Sequence, residues 1–253
     1  MMPPSAEQRR YEMNKIITYE TIRNFAHVND KICKKPIRGI VVYFCGLGNK
    51  DMHDEESNEG IFFAEEGIIY VHPYNNPWSW MNAQAIAYTD EIIDVLFNHY
   101  DLPESTPIVS MGQSMGGLAS LVYTRYSKRT PVGCIANCPV CDLVYHFTER
   151  PDLPRTIYSA LWYEKEDIGE AMKKYSPLHL APTMPSVKYY IFHCDKDKSV
   201  NLKLHSGKFA QAMRECGKDV ELEIIPDRGH CKLTIAAQNK RLALALDYIG
   251  GAQ

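Results

Sequence analysis

The chain has 253 residues, of which 45% are hydrophobic and 23% charged, and its formal net charge is -3. That length holds one large α/β domain or two small ones, with ample material for a core. The near-even charge balance without long like-charged runs argues against a nucleic-acid surface or a polybasic anchor, and no window is apolar for long enough to span a bilayer. The opening MMPPSAEQRR lacks the apolar stretch of a signal peptide, so the expectation is a reducing, cytoplasmic setting.

In chain order, residues 15–28 are expected as an extended hairpin. The run Ile37–Phe44 (IRGIVVYF) predicts a buried strand ending at Cys45-Gly46-Leu47-Gly48. A helix is expected over 54–66 and a strand over Gly67–His72, followed by a loop with Tyr74, Trp78 and Trp80. Residues 81–99 have Ile86, Ile93, Leu96 and Phe97 on one helical face. A strand over Thr106–Met111 runs into Gly112-Gln113-Ser114-Met115-Gly116, and helix resumes to about Tyr126. Val132–Asn137 is the next strand. Residues 142–182 break the rhythm with prolines and aromatics, and read as a small helical cap inserted in one domain spanning 1–253. A strand over Val187–His193, a helix over 201–216, a strand over Val220–Ile225 and a helix over 233–249 carrying Leu242, Leu246 and Ile249 complete the chain. Strands alternating with helices predict an α/β class with a mostly parallel sheet covered on both faces.

The chemistry centres on Gly112-Gln113-Ser114-Met115-Gly116. It matches G-x-S-x-G between an apolar strand and a helical pattern, the context of a nucleophile elbow. A serine hydroxyl needs a base to take its proton and a third group to orient that base. His230 follows the last strand. Asp195 and Asp197 both follow the strand before it, so strand position alone does not choose between them. The oxyanion donors expected are the backbone N–H groups of Met115 and of Leu47.

Eight cysteines are present. Cys138-x-x-Cys141 lacks the second ligand pair that a structural zinc site needs, so Cys134, Cys138 and Cys141 read as small apolar residues, reduced in the cytoplasm. Cys45 and Cys231 adjoin proposed functional residues and should lie near the site. His193 is expected to be structural.

From about residue 37 to 250 the layout resembles the α/β-hydrolase superfamily. Its C-terminal half is similar to small esterases related to dienelactone hydrolase and to the catalytic domain of prolyl oligopeptidases. In these the acid often sits in His-Gly-x-x-Asp-x-x-Val. Here the segment reads His193-Cys194-Asp195-Lys196-Asp197-Lys198-Ser199-Val200, so the resemblance implies Asp197 as the acid. Ser199, two residues on, is expected to cap the following helix. The family's His-Gly after its third strand is Cys45-Gly46 here, which supports Leu47 but removes the usual histidine.

The resulting expectation is a serine hydrolase acting on a small-molecule carboxylic ester through Ser114, Asp197 and His230, with neither cofactor nor metal. Tyr74, Trp78, Trp80 and Trp162 are candidate substrate-lining residues. A serine peptidase would use the same groups. A non-catalytic binding protein is the rival of another class, and a complete triad argues against it. Acyl and alcohol specificity and oligomeric state are not legible.

Overall fold

The computed structural model describes residues 16–53 and 55–252. Its centre is a seven-stranded sheet of order β1-β3-β2-β4-β5-β6-β7. The strands are β1 (Ala26–Val28), β2 (Gly39–Phe44), β3 (Ile68–Pro73), β4 (Ile108–Gln113), β5 (Gly133–Asn137), β6 (Lys188–Cys194) and β7 (Val220–Ile225). Every pairing is parallel except β1 with β3. The inner strands are apolar runs because both faces are covered. On β2, Ile40, Val42 and Phe44 enter one core cluster and Val41 the other, the period-2 alternation of a strand.

One core cluster takes in α2 (Ala83–Tyr100), α3 (Met115–Tyr126) and α8 (Lys208–Glu215); the other takes in α9 (Ile235–Gly250) and Phe63 of α1 (Asn58–Glu65). The helices start where short polar side chains can take a free N–H: Ser57 accepts from Gly60, Asn82 from Ala85 and Thr234 from Ala237. Ile86, Ile93, Leu96 and Phe97 of α2 are all buried, as their spacing requires.

Three expectations are corrected. Residues 16–28 make no hairpin: a short 3-10 turn, Ile22–Asn24, leads into β1, which pairs with β3 instead (residue 15 lies outside the described residues). A strand so close in sequence has no partner of its own, and the free edge of β3 supplies one. The helix expected from 54 begins at Asn58, where Ser57 caps it (residue 54 is likewise outside). On α9 the buried stripe is Ala237, Arg241, Ala245, Tyr248 and Ile249, with Leu242 and Leu246 at its margin. Arg241 is buried because it pairs with Glu59 and lies over the Tyr43 ring.

The segment between β5 and β6 folds as α4 (Leu143–Glu149), α5 (Leu153–Leu161), α6 (Ile168–Lys174), α7 (Pro177–Leu180) and a 3-10 turn. No described helix is long and apolar enough to cross a membrane.

Candidate active site

The chain runs from β2 to β3 on one side, then crosses back over β2 to β4 and continues to β7 on the other. Between β2 and β4 the winding reverses, and a crevice opens beyond the carboxyl ends of the strands at such a point. Ser114 follows β4 there, and Gly46 and Leu47 follow β2.

Ser114 adopts φ 57° and ψ -123°, an uncommon conformation for a residue with a Cβ. Its neighbours hold it: Ser114 N–H donates to the Asn137 carbonyl at 2.9 Å, and its own carbonyl accepts from Leu118 N–H at 3.1 Å. The flanking glycines are required by close approach. A Cβ on Gly112 would lie 2.1 Å from the Gly116 carbonyl oxygen, and one on Gly116 would lie 2.0 Å from the Phe44 carbonyl oxygen. The turn therefore packs backbone on backbone, against itself and against β2.

His230 lies in the β7–α9 loop, between the left-handed residues Asp227 and Cys231. Its Nε2 is 2.8 Å from Ser114 Oγ, and its Nδ1 is 2.6 Å from Asp197 Oδ2. The other Asp197 oxygen accepts N–H bonds from Ser199 at 2.8 Å and Val200 at 3.0 Å. Two backbone bonds hold the acid loop to the base loop: Asp195 N–H to the Ile225 carbonyl and Lys196 N–H to the Arg228 carbonyl. Burial penalises the Asp197 carboxylate, but the His230 contact and the two amides outweigh it and hold its pKa below the usual range. Burial likewise disfavours charge on His230, yet the Asp197 carboxylate and then Cys138 raise its pKa to about 9.

Of the two aspartates, Asp197 reaches His230. Asp195 is exposed, with Lys196 Nζ at 3.8 Å. Ser199 does not cap a helix. It lies in the turn closed by Asp197, and a π-turn over Lys203–Gly207 precedes α8, with the Asn201 side chain accepting from Lys203 and Leu204. His193 is buried, its Nδ1 2.7 Å from Ser206 Oγ and its Nε2 3.1 Å from the Val200 carbonyl, so both nitrogens are committed to structure.

A cavity of about 290 Å³ lies over Ser114. Gly46, Leu47, Met115, Trp80, His146 and Arg150 are among its walls, with His230 and Cys231. A Cβ on Gly46 would lie 3.5 Å from Ser114 Cβ, so this loop abuts the serine. Among the described residues neither the Leu47 nor the Met115 N–H donates to a protein acceptor.

The profile of the prolyl oligopeptidase family matches residues 89–252. The chain belongs to that family. It is thus a member of the α/β-hydrolase superfamily. A search of curated proteins gives no match. Among solved structures, the Pyrococcus horikoshii acylaminoacyl peptidase superposes with TM-score 0.63 at 16% identity over 84% of this chain, which spans 37% of that one. The Thermogutta terrifontis esterase 2 superposes with TM-score 0.64 at 19% identity, covering 89% of this chain and 88% of its own. The Agrobacterium tumefaciens S-formylglutathione hydrolase gives TM-score 0.65 at 15% identity, covering 85% of this chain and 84% of its own. At these identities the likeness is one of fold.

Against that family background, the four aromatic candidates separate. Trp80 is fully buried with φ 47°, and it lines the cavity over Ser114. Its Nε1 donates to Thr156 Oγ1 at 3.2 Å and its ring meets His146 edge-on at 5.5 Å. Tyr74, Trp78 and Trp162 line a neighbouring cavity of about 860 Å³ whose walls do not include Ser114. His146 and Arg150 had no motif to reveal them; α4 alone brings them to the cavity. His146 Nδ1 is 2.6 Å from Glu149 Oε2, and His205 Nε2 is 3.1 Å from the same oxygen. Burial works against the Glu149 carboxylate, but these two histidines hold its pKa down at about 2.

Proposed function

We propose that this chain hydrolyses a carboxylic ester through an acyl-enzyme formed on Ser114. The observation that carries the reading is the unbroken run Ser114 Oγ, His230, Asp197, with hydrogen bonds of 2.8 and 2.6 Å, at an elbow beside two uncommitted backbone N–H groups. In this reading Ser114 Oγ attacks the acyl carbon as His230 Nε2 takes its proton. Asp197 keeps the other ring proton on Nδ1, so that Nε2 carries the lone pair, and it stabilises the cation that forms. The carbonyl oxygen becomes an oxyanion bound by the Leu47 and Met115 N–H groups, at the start of α3, where the helix dipole also favours negative charge. His230 then gives its proton to the leaving alcohol. Water repeats the sequence on the acyl-enzyme and frees the acid.

A peptidase reading has its own support in the family profile and in the likeness to an acylaminoacyl peptidase. The chemistry differs only in an amine leaving group. Turnover of p-nitrophenyl esters of increasing acyl length, measured beside aminoacyl and acylaminoacyl p-nitroanilides, decides between them. Ester turnover exceeding anilide turnover by orders of magnitude in kcat/KM is the result expected, and the reverse ranking would replace esterase by peptidase. Covalent labelling of Ser114 by a fluorophosphonate tests the shared machinery, and an unlabelled protein would favour a non-catalytic binding role.

A further inference from the structure

Among the described residues, three clusters of His, Cys and carboxylate donors lie close enough to share a metal ion: Cys138 with His193 and Asp197, His146 with Glu149 and His205, and Cys138 with His230 and Cys231. Tautomers remove the first two. His193 Nε2 faces the Val200 carbonyl, which only accepts, so Nε2 carries the proton, and Nδ1 is engaged by Ser206. His205 Nδ1 accepts from two backbone N–H groups, of Cys141 and Asp142, each at 3.1 Å, so its proton is on Nε2, directed at Glu149. A ring nitrogen that carries its proton has no lone pair for a metal.

In the third cluster Nε2 is the nitrogen left without a proton whenever His230 is neutral, because the Asp197 carboxylate keeps the other proton on Nδ1. His230 Nδ1 is held by the Asp197 carboxylate, and its Nε2 is the nitrogen presented to Ser114 Oγ. That is the carboxylate–histidine arrangement that orients metal-bound imidazoles. Cys231 Sγ lies 3.5 Å from the same Nε2. With Zn–S near 2.3 Å and Zn–N near 2.0 Å, the S···N edge of a tetrahedral site is about 3.5 Å. Cys138 Sγ is within 4.8 Å of both other donor atoms. It also accepts backbone N–H bonds from Cys194 and Cys231, both at 3.4 Å, but the Cys231 thiol and burial push its own pKa well up, so the ion itself must displace the thiol proton. Ser114 Oγ lies 2.8 Å from Nε2, on the lone pair an ion would take, so the hydroxyl must turn aside as the ion enters. His230, Cys231 and Ser114 all line one cavity, so an ion has a way in.

We infer that Cys138, Cys231 and His230 Nε2 form a site for a thiophilic divalent cation such as Zn²⁺, and that an ion held there inhibits the enzyme by taking the lone pair of its base. The inhibitory half of this inference rests on the hydrolase reading; the binding half does not. Two thiols give their protons to solvent, as does Nε2 where it carries one. The sulfurs and Nε2 replace water on the ion, and the hydrogen bond from Ser114 Oγ to Nε2 is lost. Mg²⁺ and Ca²⁺, which prefer oxygen donors, should not compete.

Calorimetric titration of the full chain with Zn²⁺, without substrate, tests the site. One ion should bind per chain. Cys231→Ser and Cys138→Ser should each weaken binding at least about tenfold. Cys216→Ser, at an exposed cysteine outside the cluster, should leave it unchanged, and Ser114→Ala should retain it because three ligands remain. Co²⁺ should give thiolate-to-metal absorption in the near ultraviolet that both cluster variants diminish. Zn²⁺ should block fluorophosphonate labelling of Ser114, and a chelator should restore it. Absence of Zn²⁺ binding, or equal affinity in the wild type and in Cys231→Ser, overturns the site; Cys231 is only partly buried, so that variant stays informative should Cys138→Ser misfold. Binding without any block of labelling overturns the inhibition. A chain that binds Zn²⁺ through these residues yet never labels keeps the site and loses the hydrolase reading.

Discussion

Two aspartates two residues apart have different fates because only one carboxylate points at His230. The Asp197 side chain is fully enclosed, with one oxygen on two backbone amides and the other on the imidazole. Asp197→Asn should fold and lose on the order of ten-thousandfold in kcat near neutral pH, because the amide favours the wrong tautomer of His230. Asp195 has an exposed lysine beside it, and such surface pairs contribute about 1 kcal/mol at most. Asp195→Asn should therefore leave both kcat and the thermal midpoint nearly unchanged. Measuring the two variants side by side checks the assignment, and an inactive Asp195→Asn with an active Asp197→Asn would reverse it. Ser114→Ala should lose several powers of ten in kcat and all covalent labelling. Near-normal turnover by that variant would end the acyl-enzyme mechanism.

At the scale of elements, the β2–β4 crevice and the helices after β5 make separable contributions. In the proposed mechanism the loop after β2 acts through its backbone, so Leu47→Ala should keep most activity, whereas Leu47→Pro removes a donor and should cost about a hundredfold or more in kcat. Equal, mild effects would remove Leu47 from the oxyanion site. Gly116→Ala would drive a methyl group into the Phe44 carbonyl, which belongs to a central strand and cannot yield easily. Overpacking of this kind costs about 3 kcal/mol, which should lower the midpoint of thermal unfolding by roughly 6–12 °C. The helices after β5 meet the Ser114 cavity through His146, and here the structure redirects an expectation. Trp80, wedged between Thr156 and His146 beside Ser114, should govern acyl-chain preference, while Trp162, largely exposed over the neighbouring cavity, should not. Chain-length profiles of Trp80→Leu and Trp162→Ala on p-nitrophenyl esters check this, and a profile altered only by Trp162→Ala would contradict it.

For the whole molecule, the raised pKa of His230 links activity and stability to pH in opposite senses. The base must be neutral to act, so kcat/KM should climb with pH through an ionisation lying above the ordinary histidine value, towards about 9. Asp197→Asn should shift that inflection downward. For stability, a folded-state pKa above the unfolded one means that the folded chain binds the proton more tightly. This contribution is fully present below about pH 6.5 and is lost as pH rises through about 9. Thermal midpoints between pH 6 and 10 should show this alkaline loss in the wild type and less of it in His230→Gln. An activity profile already flat at pH 6 would contradict the raised base.

Much of this architecture was legible in the sequence because it is written in local patterns. Apolar runs bounded by glycine and proline marked six strands, and a 3.6-residue apolar period marked α2. The glycines around Ser114 announced a backbone too crowded for side chains. The G-x-S-x-G motif nominated Ser114, and position after the last strand nominated His230, since a parallel sheet brings consecutive carboxyl ends to one edge. The choice of Asp197 came from resemblance, and only its orientation in the fold distinguishes it from Asp195. Tertiary packing alone decided the rest. A short strand such as β1 finds its partner by availability of an edge and not by proximity in sequence. Arg241 could enter the buried stripe of α9 only because Glu59, 182 positions away in the chain, meets it there. His146 and Arg150 reach the Ser114 cavity from a segment that carries no motif. Their distances are set by how the elements pack, a property of the folded chain that no local pattern encodes.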